Sequence, residues 1–477
     1  MSAIAILHGW SDTSSSFKGL REFLVANGHQ ASDIHLADYW SMRDDVRIAD
    51  VARRMDTVIA GMIADKTLTE PFDMIVHSTG GLVAREWIVG RMERGEPVPV
   101  KRLIMLAPAN FGSSLARLGK SMLGRVIKGW GSWFEIGQEM LNGLELASQY
   151  QWDLARRDLL DATGGQAAGP YGPGKTLPFV ITGTKPYTEA LRQVVNEPGA
   201  DGTVRVPAAN MNVSGYTIDF TRSAGPDTEM TPKPWTWRAG PGVEIPFAVL
   251  PDRDHTTITQ PALASGADSA TSNRLGALLL EALDCTDAQY AAVATSWKSI
   301  TDETGAIGSS KALPKYQDVE GQNYHQHMQF VTRAVDNAGD PVLGYFVEFF
   351  SSAPKSIKDT IAFQGKVLRD VAVNSLDSSL RCFYIDRELL FDEFYKAVQK
   401  KYSELRVSVS AAPPGGDVFY FDERETAGYL TIHHADDTVR NAMPMDQRLR
   451  RNATHFVEMR LPRNLRPPDT SGEVSRG

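Results

Sequence analysis

The chain has 477 residues, more than one ordinary domain accommodates, so its length predicts two domains or three. Apolar residues make up 42% and charged residues 23%, the balance of a folded globular protein and not of a disordered one. A formal net charge of −8 excludes a general nucleic-acid binder, which needs a basic face to displace counterions, but leaves room for a local patch that meets a membrane.

Residues 3–7, Ala-Ile-Ala-Ile-Leu, read as a buried strand and run straight into His8-Gly9-Trp10. No charged, apolar leader precedes them, and no apolar run reaches the roughly 18 residues of a membrane span. A cytoplasmic protein is therefore expected as synthesised, with a leaderless secretion route open to it. A helix follows at 17–27 and a strand at 33–37. From Val46 the apolar residues Val51, Met55, Val58, Ile59 and Met62 recur at helical spacing. Then come a strand at 73–77, a helix at 80–89, strands at 101–107, 177–183 and 244–250, and a helix at 273–283. Short strands, apolar on both faces and alternating with helices, predict an α/β fold with a mostly parallel sheet covered on both sides.

Two insertions break this rhythm. Residues 112–172 carry helical patterning without a strand and include Met122, Trp130, Trp133, Phe134 and Met140, as a helical cap would. Residues 219–242 are rich in Pro, Gly, Thr and Trp and read as a long ordered loop. Beyond about residue 290 the pattern changes to short strands at 328–336, 342–350, 380–385, 405–411, 417–421, 428–432 and 455–461, with one helix at 388–402. Asn337-Ala338-Gly339-Asp340 predicts a hairpin turn between the first two. The expected organisation is an α/β domain at 1–290 holding the cap, a linker at 291–318, a mainly-β, sandwich-like domain at 319–466 and a flexible tail at 467–477.

The chemistry concentrates at Val76-His77-Ser78-Thr79-Gly80-Gly81, between an apolar strand and a helix. A sharp turn there lifts a serine hydroxyl above the sheet, and the helix start behind it offers free N–H groups and partial positive charge. With these residues the chain resembles the α/β-hydrolase superfamily, in its lipase and phospholipase branch; Val76 stands where the family's pattern usually has glycine. The resemblance implies that Ser78 is a nucleophile. It also implies, through His8-Gly9-Trp10, that the backbone N–H of Trp10 pairs with that of Thr79 as an oxyanion hole.

A serine needs a base, and the base needs an orienting carboxylate. The family's chain order is serine, acid, histidine. Among ten histidines, only His255 falls between Ser78 and residue 325, just past the strand at 244–250. Asp201, in Asp201-Gly202-Thr203-Val204, follows the strand at 177–183 and resembles the family's acid loop. Asp252 and Asp254 are rivals, but they sit too near His255 in sequence to reach its far side.

The expected function is a serine carboxylic-ester hydrolase acting on a lipid or other ester through an acyl-enzyme. The cap's aromatic and Met residues are the grounds for a lipid substrate and for contact with a membrane surface. An acyltransferase or a non-lipid esterase shares the same acyl-enzyme and stays open, and a non-catalytic interaction protein is the third class. A leaderless lipase effector is the matching family analogy. No cofactor and no metal are expected. His325, His327, His433 and His434, with Asp436 and Asp437, are read as solvated groups at strand ends. Cys285 and Cys382 are expected as buried free thiols. The C-terminal domain carries no nameable motif and is open to a role in docking a partner protein or a membrane.

Overall fold

The structure, a computed structural model, describes residues 3–7, 17–34, 44–118, 137–163, 165, 168–188, 192–225, 227–261, 274–308, 320–350, 357–395, 404–412, 418–420, 428–433 and 450–465. Trp10, most of the aromatic part of the expected cap (residues 119–136) and the expected tail lie outside them.

The alternation of strand and helix produces one six-stranded sheet. Its strands are β1 (Ile4–Leu7), β2 (Ala31–Ile34), β3 (Phe72–His77), β4 (Val100–Leu106), β5 (Leu177–Gly183) and, after β6 (Ser214–Asp219) has left for another sheet, β7 (Phe247–Leu250). The order is β7-β5-β4-β3-β1-β2, and every pairing is parallel. Helices α1 (Lys18–Ala26), α2 (Ile48–Ala64), α3 (Gly80–Glu93), α4 (Gln138–Leu144), α5 (Gln149–Asp158), α6 (Arg274–Asp284) and α7 (Tyr290–Gly308) follow in chain order. Strands β1, β3, β4, β5 and β7 are largely apolar on both sides because both sides are covered, whereas the edge strand β2 carries Ser32 and Asp33. Ile4, Ile6, Ile75 and Ile104 pack with Leu20 of α1, Leu279 of α6 and Trp297 of α7. Ala5, Leu7, Met74 and Met105 face Val51 and Met55 of α2 and Leu82 and Ile88 of α3. This is the α/β-hydrolase arrangement.

The second part of the chain is not a closed unit. Its main sheet holds β8 (His327–Asp336), β10 (Leu368–Val373), β11 (Leu380–Asp386) and β14 (Ala453–Leu461), in the order β10-β11-β8-β14-β6 with Lys233–Pro234 at the edge. Thus β6, from the middle of the α/β segment, completes it in parallel register, Ser214 opposite His455. Val331, Cys382 and Phe456 of this sheet belong to the same core as α2 and α3. A three-stranded antiparallel sheet, β9 (Tyr345–Phe350), β12 (Glu404–Ala411) and β13 (Tyr429–His433), packs beside it.

Several expectations need correction. The segment read as a linker is, as far as Gly308, the helix α7, with Trp297 fully buried on the six-stranded parallel sheet. The turn at 337–340 forms, with Gly339 at φ 90, but it makes no hairpin. Only Val335 bridges Pro341; β9 then joins the other sheet, so the turn carries the chain between layers. Of the helix expected at 388–402, the described part is a short helical turn, Arg387–Leu389, leading into a π-helix, Leu390–Tyr395; residues 396–402 lie outside the described residues. The cap does contain a strand: Leu160–Asp161 pairs with Thr236–Trp237 of the second insertion. Among the described residues, no helix is long and apolar enough to cross a membrane.

Candidate active site

Ser78 joins β3 to α3 at φ 54, a left-handed conformation that a side chain adopts only under strain. The turn is held by its neighbours: Ser78 N–H donates to the Leu106 carbonyl at 3.1 Å, and the Ser78 carbonyl accepts from Gly81 at 3.1 Å and Ala109 at 3.2 Å. Of the two glycines in the motif, Gly81 is the one the packing requires. A Cβ there would lie 2.7 Å from that of Pro108, whereas one on Gly80 would make ordinary contacts. Val76, buried in β3 on the α2 and α3 side of the sheet, stands beside Gly80.

His255 arrives on the loop after β7. The loop crosses the end of β5 so closely that a Cβ on Gly183 would lie 1.9 Å from the Arg253 carbonyl. His255 Nε2 stands 3.0 Å from Ser78 Oγ, and its Nδ1–H donates to Asp201 Oδ2 at 2.8 Å. Because a carboxylate only accepts, the proton belongs on Nδ1, which leaves Nε2 free to take the serine proton. Asp201 Oδ1 accepts from the N–H groups of Thr203 at 2.9 Å and Val204 at 2.7 Å, so the whole carboxylate is fixed. The backbones are tied as well, His255 N–H donating to the Asp201 carbonyl at 3.0 Å. All three side chains are buried. The rival acids are occupied elsewhere: Asp252 pairs with Arg253, and Asp254 accepts from Thr256 and Thr257 in its own turn.

Thr79, at the start of α3, is buried beside Ser78, where the helix's first N–H groups lack intrahelical acceptors. A cavity of about 10 Å³, room for roughly one water, lies against Ser78 and Thr79. Ala109, Ala116, Leu141, Leu144 and Val204 give it an apolar wall. Ser113 on the same wall donates to the Thr203 carbonyl at 2.6 Å, and the Tyr187 hydroxyl is 2.9 Å from Thr203 Oγ1. Burial, with the Asp201 charge adding to it, raises the Tyr187 phenol well above its ordinary range. The acid loop is thus pinned from the cap and from the chain after β5.

Three groups here are not apparent from the sequence. His77 donates from Nε2 to the His255 carbonyl at 3.0 Å and holds its ring 4.7 Å from that of His255. Ser113 and Tyr187 lie far from the motif in sequence, and only the fold brings them to the acid loop. The signal for His77 is its place in the motif, but nothing in its own neighbourhood names the carbonyl it holds.

His325 and His327, expected to be solvated, are buried instead. His325 Nδ1–H donates to Asp386 at 2.8 Å, and Arg369 reaches the same oxygen at 3.2 Å. His327, at the start of β8, lies against Gly199 of the acid loop, and His325 just before the strand is buried on Asp386. His434, Asp436, Asp437 and the side chain of His433 lie outside the described residues. Among the described residues, no group of three His, Cys, Asp or Glu could hold a metal ion. Cys285 and Cys382 are both buried and unbridged.

No protein-family model and no curated protein sequence matches the chain. Among solved structures, the chain is similar to phospholipase PlaB from Legionella pneumophila, with 24% identity over 98% of this chain and 97% of that one, at a TM-score of 0.74. A second structure of that phospholipase, in complex with thio-NAD, matches at 23% identity over 97% of this chain and 94% of the other, at a TM-score of 0.72. The likeness runs through both parts of the chain, so the two share one fold from end to end.

Proposed function

We propose that the chain is a serine carboxylic-ester hydrolase acting on lipid esters, with Ser78 as nucleophile, His255 as base and Asp201 as orienting acid. One observation carries this reading: the unbroken hydrogen-bonded line from Ser78 Oγ through His255 to Asp201, at 3.0 and 2.8 Å, on a strained strand-to-helix turn. In acylation Ser78 Oγ attacks the ester carbonyl carbon while His255 Nε2 takes its proton. The Asp201 carboxylate stabilises the imidazolium without accepting that proton. The oxyanion meets the Thr79 N–H; the motif His8-Gly9-Trp10, outside the described residues, supports the Trp10 N–H as the second donor. The intermediate collapses when His255 returns the proton to the leaving alcohol, and water repeats the sequence to release the acid.

A lipid substrate is supported by the apolar wall of Leu141, Leu144, Ala109 and Val204 beside Ser78. The shared fold with a phospholipase supports it further. The test is hydrolysis of p-nitrophenyl esters of graded chain length and of phosphatidylcholine vesicles, together with fluorophosphonate labelling. Ser78→Ala is expected to abolish both hydrolysis and labelling, and the native chain to prefer long acyl chains. Full activity of Ser78→Ala would overturn the nucleophile; activity confined to acetyl esters would overturn the lipid.

A further inference from the structure

Tyr384 of β11 reaches from the second sheet onto the loop that carries Asp201. Its hydroxyl donates to the Pro198 carbonyl at 2.6 Å and lies 3.2 Å from that of Gly199. The approach is possible only because Gly199 stands at φ 69 without a side chain. A Cβ there would lie 2.7 Å from the Tyr384 hydroxyl and 2.2 Å from His327 Nδ1. The loop closes on itself, Val206 N–H donating to the Gly199 carbonyl at 2.9 Å and Asp201 N–H to that of Val204 at 3.2 Å. These bonds fix the loop's shape, but its position against His255 needs outside supports.

Tyr384 is itself held. Its ring stacks on His327 at 4.9 Å, and the buried Arg205 guanidinium lies 4.2 Å over it. Arg205 bonds Glu197 at the start of the same loop and Asp370 of β10, both at 2.7 Å. His327 Nδ1–H donates to the His325 carbonyl, and His325 is bonded to Asp386. The charged and titratable groups around Tyr384 are therefore Arg205, Glu197, His327, Asp386 and Arg369. Burial keeps the phenol protonated, hence a donor, at any working pH.

We propose that Tyr384 is a positioning residue for Asp201: the second sheet, through this hydroxyl and Arg205, sets where the acid stands against His255. The inference rests on Ser78, His255 and Asp201 acting as a triad. It gives the second sheet a part in the reaction although Ser78, Asp201 and His255 all lie outside it. A hydroxyl that only stabilised the fold would alter activity equally whatever stood at position 201. One that works through Asp201 loses its effect when the carboxylate is gone.

The experiment is a double-mutant cycle in the full chain, read as ester hydrolysis and as the rate of fluorophosphonate labelling. Tyr384→Phe is expected to lower kcat about tenfold with KM unchanged, because a small misplacement of a triad member is costly. In an Asp201→Asn background the same change is expected to cost less than about twofold. Tyr345→Phe removes the hydroxyl of another buried tyrosine, bonded to Thr332 at 2.7 Å in the adjoining sheet, and is expected to leave kcat unaltered. Should Tyr384→Phe not fold, Arg205→Lys carries the same cycle with the same expected outcome. Equal losses in both backgrounds, or no loss in the native one, would overturn the inference. Serine-independent activity of the native chain would instead overturn the triad itself, which the Ser78→Ala control reports separately.

Discussion

His77 holds the main chain of His255: its Nε2–H donates to the His255 carbonyl at 3.0 Å, from the position immediately before Ser78. Nucleophile and base are therefore tied through the backbone as well as through their own hydrogen bond. Replacing His77 with Leu removes this donor to the His255 carbonyl and with it one of the ties that hold the base loop. A fall in kcat of about tenfold is expected, with KM nearly constant, since the change acts on alignment and not on substrate contacts. His77→Gln, which keeps a donor at similar reach, is expected to recover most of the rate. Steady-state ester hydrolysis by the two variants checks this, and equal losses in both would contradict it.

The end of β5 gives a steric counterpart. A Cβ on Gly183 would enter the Arg253 carbonyl at 1.9 Å, and backbone has little freedom to move away. Gly183→Ala is expected to displace the loop bearing His255 and to destabilise the fold by roughly 1–3 kcal/mol. Labelling by a fluorophosphonate should slow at least as much as hydrolysis, because both need His255 beside Ser78. Urea unfolding and labelling rates on one preparation measure the two effects.

The parts of this site legible in the sequence are those whose chemistry is local. The strand, strained serine and glycine-rich helix start lie within six residues, and His255 stands out because no other histidine falls between Ser78 and residue 325. The parallel sheet is legible for a similar reason, since strands covered on both faces leave continuous apolar runs. What the sequence hides is long-range pairing. Ser214–Asp219 carries a short strand-like run, Tyr216-Thr217-Ile218, but nothing local says that it completes the second sheet beside β14, far away in sequence. His325 and His327 look like solvated strand-end residues until β11 brings Asp386 and Tyr384 against them. The helix Tyr290–Gly308 reads as a linker because its buried residues, Tyr290, Val293, Trp297 and Thr301, are spread among small and polar ones.

The fully buried pair of Arg85 on α3 and Asp158 on α5 ties the helix behind Ser78 to the cap. Arg85 also donates to the Asn110 carbonyl at 2.9 Å, in the loop that lines the cavity. Removing the carboxylate strands a buried guanidinium charge, which costs roughly 3–5 kcal/mol in such settings. Asp158→Ala is expected to lower the urea midpoint accordingly. The molecules that stay folded should keep native labelling rates, because neither side chain touches Ser78 or His255. A midpoint within experimental error of the native one would show that the pair contributes nothing to stability.

Two buried histidines make the fold acid-sensitive well above the carboxylate range. Burial, the largest influence on each, lowers His327 to about 4 and His455 to about 3, from an ordinary imidazole value of 6.5. Each is neutral when folded, and His455 bridges β14 to β6 with Nδ1 2.6 Å from Ser214 Oγ and Nε2 directed at the Arg450 carbonyl. As pH falls below 6.5, the unfolded chain takes up protons that the folded chain refuses, so stability declines until the folded-state values are reached. At the extreme the loss is on the order of 3 kcal/mol for His327, since each tenfold drop in proton affinity is worth about 1.4 kcal/mol. Unfolding temperature is therefore expected to hold steady from pH 8 to 7 and to drop progressively from pH 6.5 to 4.5. His455→Gln keeps an acceptor toward Ser214 and a donor toward Arg450 but cannot titrate, and its unfolding temperature should fall less steeply over that interval. Parallel slopes for the native chain and the variant would remove His455 from the account.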